Sequence, residues 1–416
     1  MRMVGPPFTA NAERIGIMVS EILISPQFQM SMLLLIALGG YILASRIGQS
    51  AVIGEILLGI VFGPSLLHIV NYTPFVKELA NLGAIILLFV IGLDFELKEI
   101  LKPKYFIIAL VGVIVPWIGG FFLMLALNYN GVESMFVGTA LTATSIAITA
   151  NVLKEMGKLD TEAGKAIIGA AVIDDVLGLI ALSATVSLSN GSFSAISLLI
   201  LLGKSVLFFA VGGAAGYFVF KKLIRVVDER RVGKKHPETP FILSMAIALA
   251  YAAVAEWIGL SAIVGAFLAG ASIGKIKLKH GKDYQEGSEY LRVIFSAIFF
   301  VSLGVIADLR MLTWPIVVLI LVLTLVAVVT KIIGCGVPAL LTGMSPRESL
   351  TVGLGMIPRG EVAMIVALIG LEKKVIEQNV YVAVILMSLL STVIVPFFLK
   401  LTLKEKKPAA LVQKDS

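Results

Sequence analysis

Ala166-Ile-Ile-Gly-Ala-Ala-Val-Ile-Asp-Asp-Val-Leu-Gly-Leu-Ile-Ala-Leu-Ser-Ala-Thr-Val186 is long enough to cross about 30 Å of hydrocarbon as a helix, and it carries Asp174 and Asp175 near its middle. A charge at that depth costs at least about 2.5 to 3.5 kcal/mol, so each acid needs a partner or a task. The chain on either side leaves little doubt that this run is a membrane span. Of its 416 residues, 58% are hydrophobic and only 15% charged, and the mean hydropathy is +0.99. A water-soluble core cannot absorb that much apolar surface. Similar runs recur throughout, punctuated by Gly, Pro and charge, at approximately 29–47, 50–67, 75–93, 104–128, 133–156, 162–188, 195–221, 239–258, 260–274, 286–307, 313–342, 346–370 and 377–402. The spacing predicts an all-α polytopic membrane protein with about thirteen transmembrane helices, the ninth short and rich in small residues.

The net charge of +7 lies in short loops rather than on one face, so it reads as a topology signal and excludes a nucleic-acid partner. Basic residues fall on alternate loops: Lys98, Lys102 and Lys104; Lys154, Lys158 and Lys165; Lys221 to Lys235; Lys275, Lys277, Lys279 and Lys282. These loops are expected to be cytoplasmic, with the C-terminus on the same side and the N-terminus outside. The opposite loops offer only Lys77, Arg310, Lys373 and Lys374. One cysteine, Cys335, rules out a disulfide framework, and the three scattered histidines point to no metal cluster or cofactor. Residues 1–27 lack the pattern of a cleavable signal and read as a surface helix or disordered segment. Residues 28–403 form one transporter-like domain, and 404–416 a cytoplasmic tail.

Two stretches recur about 212 residues apart. Gly54, Leu57, Gly59 and Gly63 match Gly265, Leu268, Gly270 and Gly274, while Gly92, Glu96 and Leu97 match Gly304, Asp308 and Leu309. The offset shifts the pattern by seven spans, an odd number, so the second half is expected upside down relative to the first. Repeat one runs from about 29 to 188, a linking helix from 195 to 221, and repeat two from about 239 to 402. Inverted repeats place a site near mid-membrane, where the halves meet.

Five charges interrupt apolar spans: Asp174 and Asp175, Lys331 in span eleven, and Arg359 and Glu361 in span twelve. Their formal sum is minus one, which suits a site that is neutral only when it holds a cation or a proton. Two adjacent carboxylates in low dielectric cannot both ionise cheaply without a cation nearby. The competing reading makes the acids partners of Lys331 and Arg359 that merely clamp the bundle. Helix breakers fall where an ion site needs them. Thr142, Ala143, Thr144, Ser145 and Thr149 centre span five, and the offset places Thr144 opposite Met356, beside Pro358 and Gly360 of span twelve.

The motifs Thr-Ala-Thr-Ser-Ile-Ala-Ile-Thr-Ala at 142–150, Gly-Ala-Ala-Val-Ile-Asp-Asp-Val-Leu-Gly-Leu at 169–179 and Pro-Arg-Gly-Glu-Val at 358–362 resemble the monovalent cation/proton antiporter superfamily, especially its bacterial sodium/proton antiporters. The resemblance extends from Gly54 to about Leu401. It implies a homodimer in the cell membrane, with interface spans around one, two, eight and nine and a six-helix core carrying crossed discontinuous helices five and twelve. It also implies secondary active exchange of cytoplasmic Na⁺ or Li⁺ for protons, with no cofactor and no enzymatic activity. Asp175 matches the principal ion-binding and proton-carrying acid, Asp174 the second acid, and Lys331 the lysine paired with it. Thr144 and Ser145 match the unwound point of helix five, and Arg359 and Glu361 a polar network in helix twelve. We further expect electrogenic coupling through Asp174 and Lys331. A potassium/proton antiporter is the nearest alternative, and the double aspartate favours sodium. A passive channel lacks a reason for inverted halves, an aspartyl protease needs acids facing across a cleft, and no phosphate-binding loop supports an ATP-driven pump.

Overall fold

The computed structural model describes residues 25–403 apart from 48, 96, 98–101, 190–194, 231–234, 277, 280 and 308. The expectations for the N-terminal segment up to residue 24, for the tail, and for Glu96 and Asp308 in the repeat lie outside the described residues. Among the described residues the structure is helical without a strand. We number the α-helices α1 (Pro26–Arg46), α2 (Ala51–Phe62), α3 (Pro74–Leu93), α4 (Pro103–Ala126), α5 (Gly131–Thr142), α6 (Ile146–Glu155), α7 (Glu162–Ser189), α8 (Ala195–Ala214), α9 (Lys221–Glu229), α10 (Thr239–Trp257), α11 (Ala262–Ile273), α12 (Gly281–Ile306), α13 (Trp314–Lys331), α14 (Val337–Leu341), α15 (Pro346–Gly355), α16 (Glu361–Glu372) and α17 (Gln378–Leu403). Turns of π-helix join α8 to α9 and α13 to α14.

All thirteen apolar runs coincide with helix. Ten helical stretches among the described residues are long and apolar enough to cross a membrane, α5 with α6 counting as one, and Ala51–Phe62, Ala262–Ile273 and Val362–Leu371 are shorter apolar helices. Helix starts follow local chemistry. Pro26, Pro74, Pro103 and Pro346 each stand at a first helical position, where the missing N–H would have had no intrahelical partner. Ser25, Thr73, Asn130 and Ser345 precede helices and accept a backbone N–H with their side chains, Ser345 within a full capping box with Glu348.

The helices pack as two bundles. In one, α1 lies on α2, α2 and α3 on α12, and α3 on α11, with α10 beside α11. In the other, α4 packs on α5, α7 and α13, α5 on α16, and α17 on α13, α15 and α16. Within the first bundle two crossings are closed by glycine. A methyl group on Gly59 would meet the Gly304 Cα at 3.0 Å, and one on Gly92 would meet the Gly270 Cα at 3.0 Å. Backbones this close leave no room for a side chain, so the helix pairs α2–α12 and α3–α11 are fixed where they cross. The residues involved exchange under the sequence offset: Gly59 corresponds to Gly270 and Gly92 to Gly304, so each crossing is the image of the other.

Polar contacts sort helix ends onto two faces. On one face, Lys154 at the end of α6 pairs with Asp94 after α3 at 2.9 Å, Ser50 before α2 donates to Glu155, and Arg347 near the start of α15 bonds the Thr402 carbonyl of α17. On the other, Ser65 after α2 donates to the Ala307 carbonyl after α12, and Glu133 of α5 accepts the backbone N–H of Glu377 before α17. The first face carries the basic loops.

Candidate ion site

The site forms where two broken helices cross. The α5–α6 stretch opens at Ala143–Ser145 and the α15–α16 stretch at Met356–Gly360, leaving half-helix ends in the middle of the second bundle. The Ser145 backbone N–H donates to the Pro358 carbonyl at 2.7 Å. Thr144 Oγ1 donates to the Met356 carbonyl at 3.3 Å and Thr149 Oγ1 to the Gly355 carbonyl at 2.6 Å. Thr144 thus meets the residue that the sequence offset placed opposite it. Gly360 makes the crossing possible, because a Cβ there would stand 2.8 Å from Ser145 Oγ and 2.9 Å from Ser145 Cβ.

Broken helices in a low-dielectric interior leave carbonyls at two ends and N–H groups at two others, each with a partial charge. The carbonyl end of α15 is answered by Arg359. This fully buried guanidinium donates to the Met356 and Ile357 carbonyls at 3.2 and 2.8 Å and reaches the Ala327 carbonyl of α13 at 3.4 Å. Its backbone is held by Ser391 and Thr392 of α17. Arg359 therefore balances a helix end. Glu361 is the first residue of α16, and its side chain lies outside the described residues.

The α7 helix brings its two acids to this crossing. Asp174 is 1% exposed, and its Oδ1 accepts a hydrogen bond from Lys331 Nζ at 3.0 Å, both side chains being wholly buried. The Thr144 hydroxyl and the Arg359 guanidinium also act on the Asp174 carboxyl. Asp175, one residue on, is buried, with 9% of its surface exposed. Two buried oxygens at the crossing, Asp174 Oδ2 and Ser145 Oγ, make no hydrogen bond to any described residue. Buried polar atoms are almost always satisfied, so two orphans beside carboxylates suit an alkali cation, which takes oxygen ligands. The structure brings Asp174, Lys331, Thr144, Ser145 and Arg359 together at this crossing.

The sequence did not reveal how Lys331 is seated. It ends α13, and the next turn, Ile332–Gly336, is π-helical. Gly112 of α4 lies against this turn: a Cβ there would collide with Cys335 Sγ and stand 3.9 Å from Lys331 Nζ. The missing side chain makes room for Cys335 and lets the turn that follows Lys331 lie close against α4. Two glycines in Ile-Ile-Gly-Cys-Gly were the available signal, and a weak one.

Sequence reasoning also missed a charged network at the basic-loop end of the seam between the bundles. Arg292 of α12 donates to Asn151 Oδ1 of α6 at 2.5 Å and holds Glu289 through Nε at 3.0 Å. Lys154 of α6 pairs with Asp94 and, at 3.5 Å, with Glu289. Asn151 and Ser50 both donate to Glu155. On the opposite face the same seam opens into a cavity of about 550 Å³ between α3 and α12 on one side and α16 and α17 on the other, with Lys77, Asn81, Ser302, Met364 and Tyr381 among its walls.

A seam between two bundles, half-helices crossed inside one of them, and a buried acid–lysine pair at the crossing define an ion transporter. The chain matches the transmembrane sodium/hydrogen exchanger family model over residues 33–405, and it belongs to that family. It is 33% identical over 392 residues to the Na(+)/H(+)-K(+) antiporter GerN of Bacillus cereus, covering 93% of this chain and 98% of that relative. It is 35% identical over 363 residues to a Na(+)/H(+) antiporter of Enterococcus hirae, covering 86% and 93%. The sodium proton antiporter MjNhaP1 of Methanocaldococcus jannaschii has a similar fold, with a TM-score of 0.65 at 19% identity over 89% of this chain and 94% of that one. The protein is a multi-pass membrane cation/proton antiporter, a transporter rather than an enzyme.

Proposed function

We propose that the protein exchanges Na⁺, or Li⁺, for protons by alternating access, with Asp175 as the principal ion-binding and proton-carrying acid and Asp174 as the second. The observation that carries this reading is the wholly buried Asp174–Lys331 pair at 3.0 Å, set beside Asp175 at the helix crossing. A buried ion pair contributes little net stability compared with an apolar replacement, so its presence favours a task beyond clamping. In the empty or protonated state Lys331 neutralises Asp174. An arriving cation takes oxygens from both acids, with Thr144 and Ser145 as further ligands, and Lys331 then loses its partner and releases its proton. Asp175 and Lys331 together release two protons per cation, which moves one net charge per cycle and makes exchange electrogenic.

The mirrored glycine crossings and the Thr144–Met356 contact support two inverted repeats related through the helix crossing. The first bundle is then the scaffold and the dimerising part, and the second the moving core. The basic-loop face is cytoplasmic, the N-terminus lies outside and the C-terminus inside. A closed charged network on that face and an open cavity on the other fit an outward-facing state. Potassium is the second reading, favoured by the Bacillus relative, which is a Na(+)/H(+)-K(+) antiporter. Dissipation of an imposed pH gradient in proteoliposomes, compared across Na⁺, Li⁺ and K⁺, tests the proposal. Na⁺ and Li⁺ should collapse the gradient, and a response to none of the three ions would overturn it.

A further inference from the structure

The helix that carries Lys331 does not continue regularly past it. Ile332–Gly336 form a π-helical turn, and α-helix resumes at Val337. A π-turn is rare and has poorer hydrogen-bond geometry than α-helix, so it persists where the surrounding packing holds it. Two helices hold this one. On the α4 side, a Cβ on Gly334 would stand 3.0 Å from the Val111 carbonyl oxygen and 3.3 Å from the Gly112 Cα. On the α15 side, a Cβ on Gly353 would stand 3.0 Å from the Ile332 Cα, and one on Gly336 would stand 3.1 Å from the Ser349 carbonyl oxygen. The turn is clasped backbone to backbone between α4 and the half-helix that opens into the ion crossing.

Cys335 fills the notch left by Gly112. A Cβ on Gly112 would collide with the Cys335 Sγ and lie 3.9 Å from Lys331 Nζ, so thiol and ammonium rest against the same glycine. Both side chains are wholly buried. An ammonium has three hydrogens to donate, and among the described residues Lys331 Nζ finds one acceptor, Asp174 Oδ1. Its placement therefore depends on the backbone that carries it.

Building on the exchange mechanism proposed above, and resting on it, we infer that Cys335 and Gly112 position Lys331 for its part in coupling. With the thiol seated against Gly112, the π-turn holds Lys331 on Asp174. When a cation displaces Lys331, the turn shifts and withdraws the thiol from the notch. A π-turn suits this task because it can move along a helix by exchanging hydrogen-bond partners while the helix stays whole, and a shift of one residue turns the side chain at its edge by about 100°. Lys331 is that edge residue. The movement is internal to one bundle, since α4, α13 and α15 all pack within the second.

Cys335 is the only cysteine of the chain, so the turn carries its own probe. The unaltered protein in proteoliposomes is exposed to a small uncharged organomercurial at fixed pH, and modification is followed by the mass of the intact chain. Na⁺ should speed modification about tenfold relative to choline, as a minor position of the turn becomes the major one. Gly112→Ala, whose methyl occupies the notch, should be modified fast with or without Na⁺ and should move less charge per Na⁺, read as a shifted reversal potential of exchange. Cys335→Ala in the same chain leaves its Cβ 4.0 Å from that methyl, an ordinary contact, and should restore the unaltered reversal potential. A merely destabilised protein would exchange more slowly at an unshifted reversal potential. Equal modification rates in Na⁺ and choline, in protein whose unfolding midpoint Na⁺ raises, overturn the positioning role and leave the transport reading standing. An unshifted reversal potential in Gly112→Ala overturns it as well. Failure of the transport reading is distinct: Na⁺ would then neither raise the midpoint nor exchange for protons, and both proposals would fall.

Discussion

Lys331 and Asp174 meet at 3.0 Å with both side chains wholly buried, and their meeting can serve structure or coupling. A structural clamp stays protonated throughout the cycle, whereas a coupling lysine must be able to give its proton up. Lys331→Gln separates the two, because glutamine can hydrogen-bond Asp174 but cannot titrate. We expect exchange in this variant to become slower or electroneutral, measured in proteoliposomes with and without a potassium-diffusion potential. Full electrogenic exchange would leave Lys331 as a clamp. The pair itself was legible in the sequence, since a lone cation in one apolar span and adjacent acids in another each demand a partner. Glu55 obeys the same logic, but it lies only five residues from Ser50 at the start of its apolar run, where sequence alone does not separate a buried charge from an interfacial one. Arg292 was hidden differently: the first turns of α12 carry Glu286 and Glu289 as well, and such a stretch reads as a wetted helix end.

The crossing of α5–α6 with α15–α16 depends on Gly360, whose absent side chain admits Ser145. A methyl group placed 2.8 Å from Ser145 Oγ forces the two crossing segments apart. Gly360→Ala should therefore lower stability by about 1–3 kcal/mol, the usual cost of overpacking, and Ser145→Gly in the same chain should recover part of the loss. Thermal unfolding in detergent checks this, and an unaltered midpoint in Gly360→Ala would contradict the observed packing. Both breaks were readable from Pro358, Gly360 and the hydroxyl cluster at Thr142–Thr149, because each residue type removes or competes for helix hydrogen bonds. The π-turn after Lys331 was not, since nothing local forces it: it arises where α13 packs against Gly112 of α4 and Gly353 of α15.

Across the whole molecule, hydropathy foretold an all-helical membrane protein and the 212-residue offset the opposition of Thr144 to Met356, whereas the division of the helices into two bundles emerged only from packing. The proposed orientation puts Lys158 on the cytoplasmic face and Asn130 outside. Single cysteines at these positions decide it: impermeant reagent on right-side-out vesicles should label Asn130→Cys and spare Lys158→Cys, and the reverse pattern would invert the molecule. In the proposed mechanism the charged network at one end of the seam and the cavity at the other are the two ends of one ion path, with the acids of α7 between them. Everything in this account converges on those acids. The most direct test is Asp175→Asn, reconstituted into proteoliposomes alongside the unaltered chain and assayed for pH-gradient collapse on addition of Na⁺. The account predicts collapse by the unaltered protein and none above empty liposomes by a variant that remains folded; sodium-driven collapse at the unaltered rate in Asp175→Asn would contradict it.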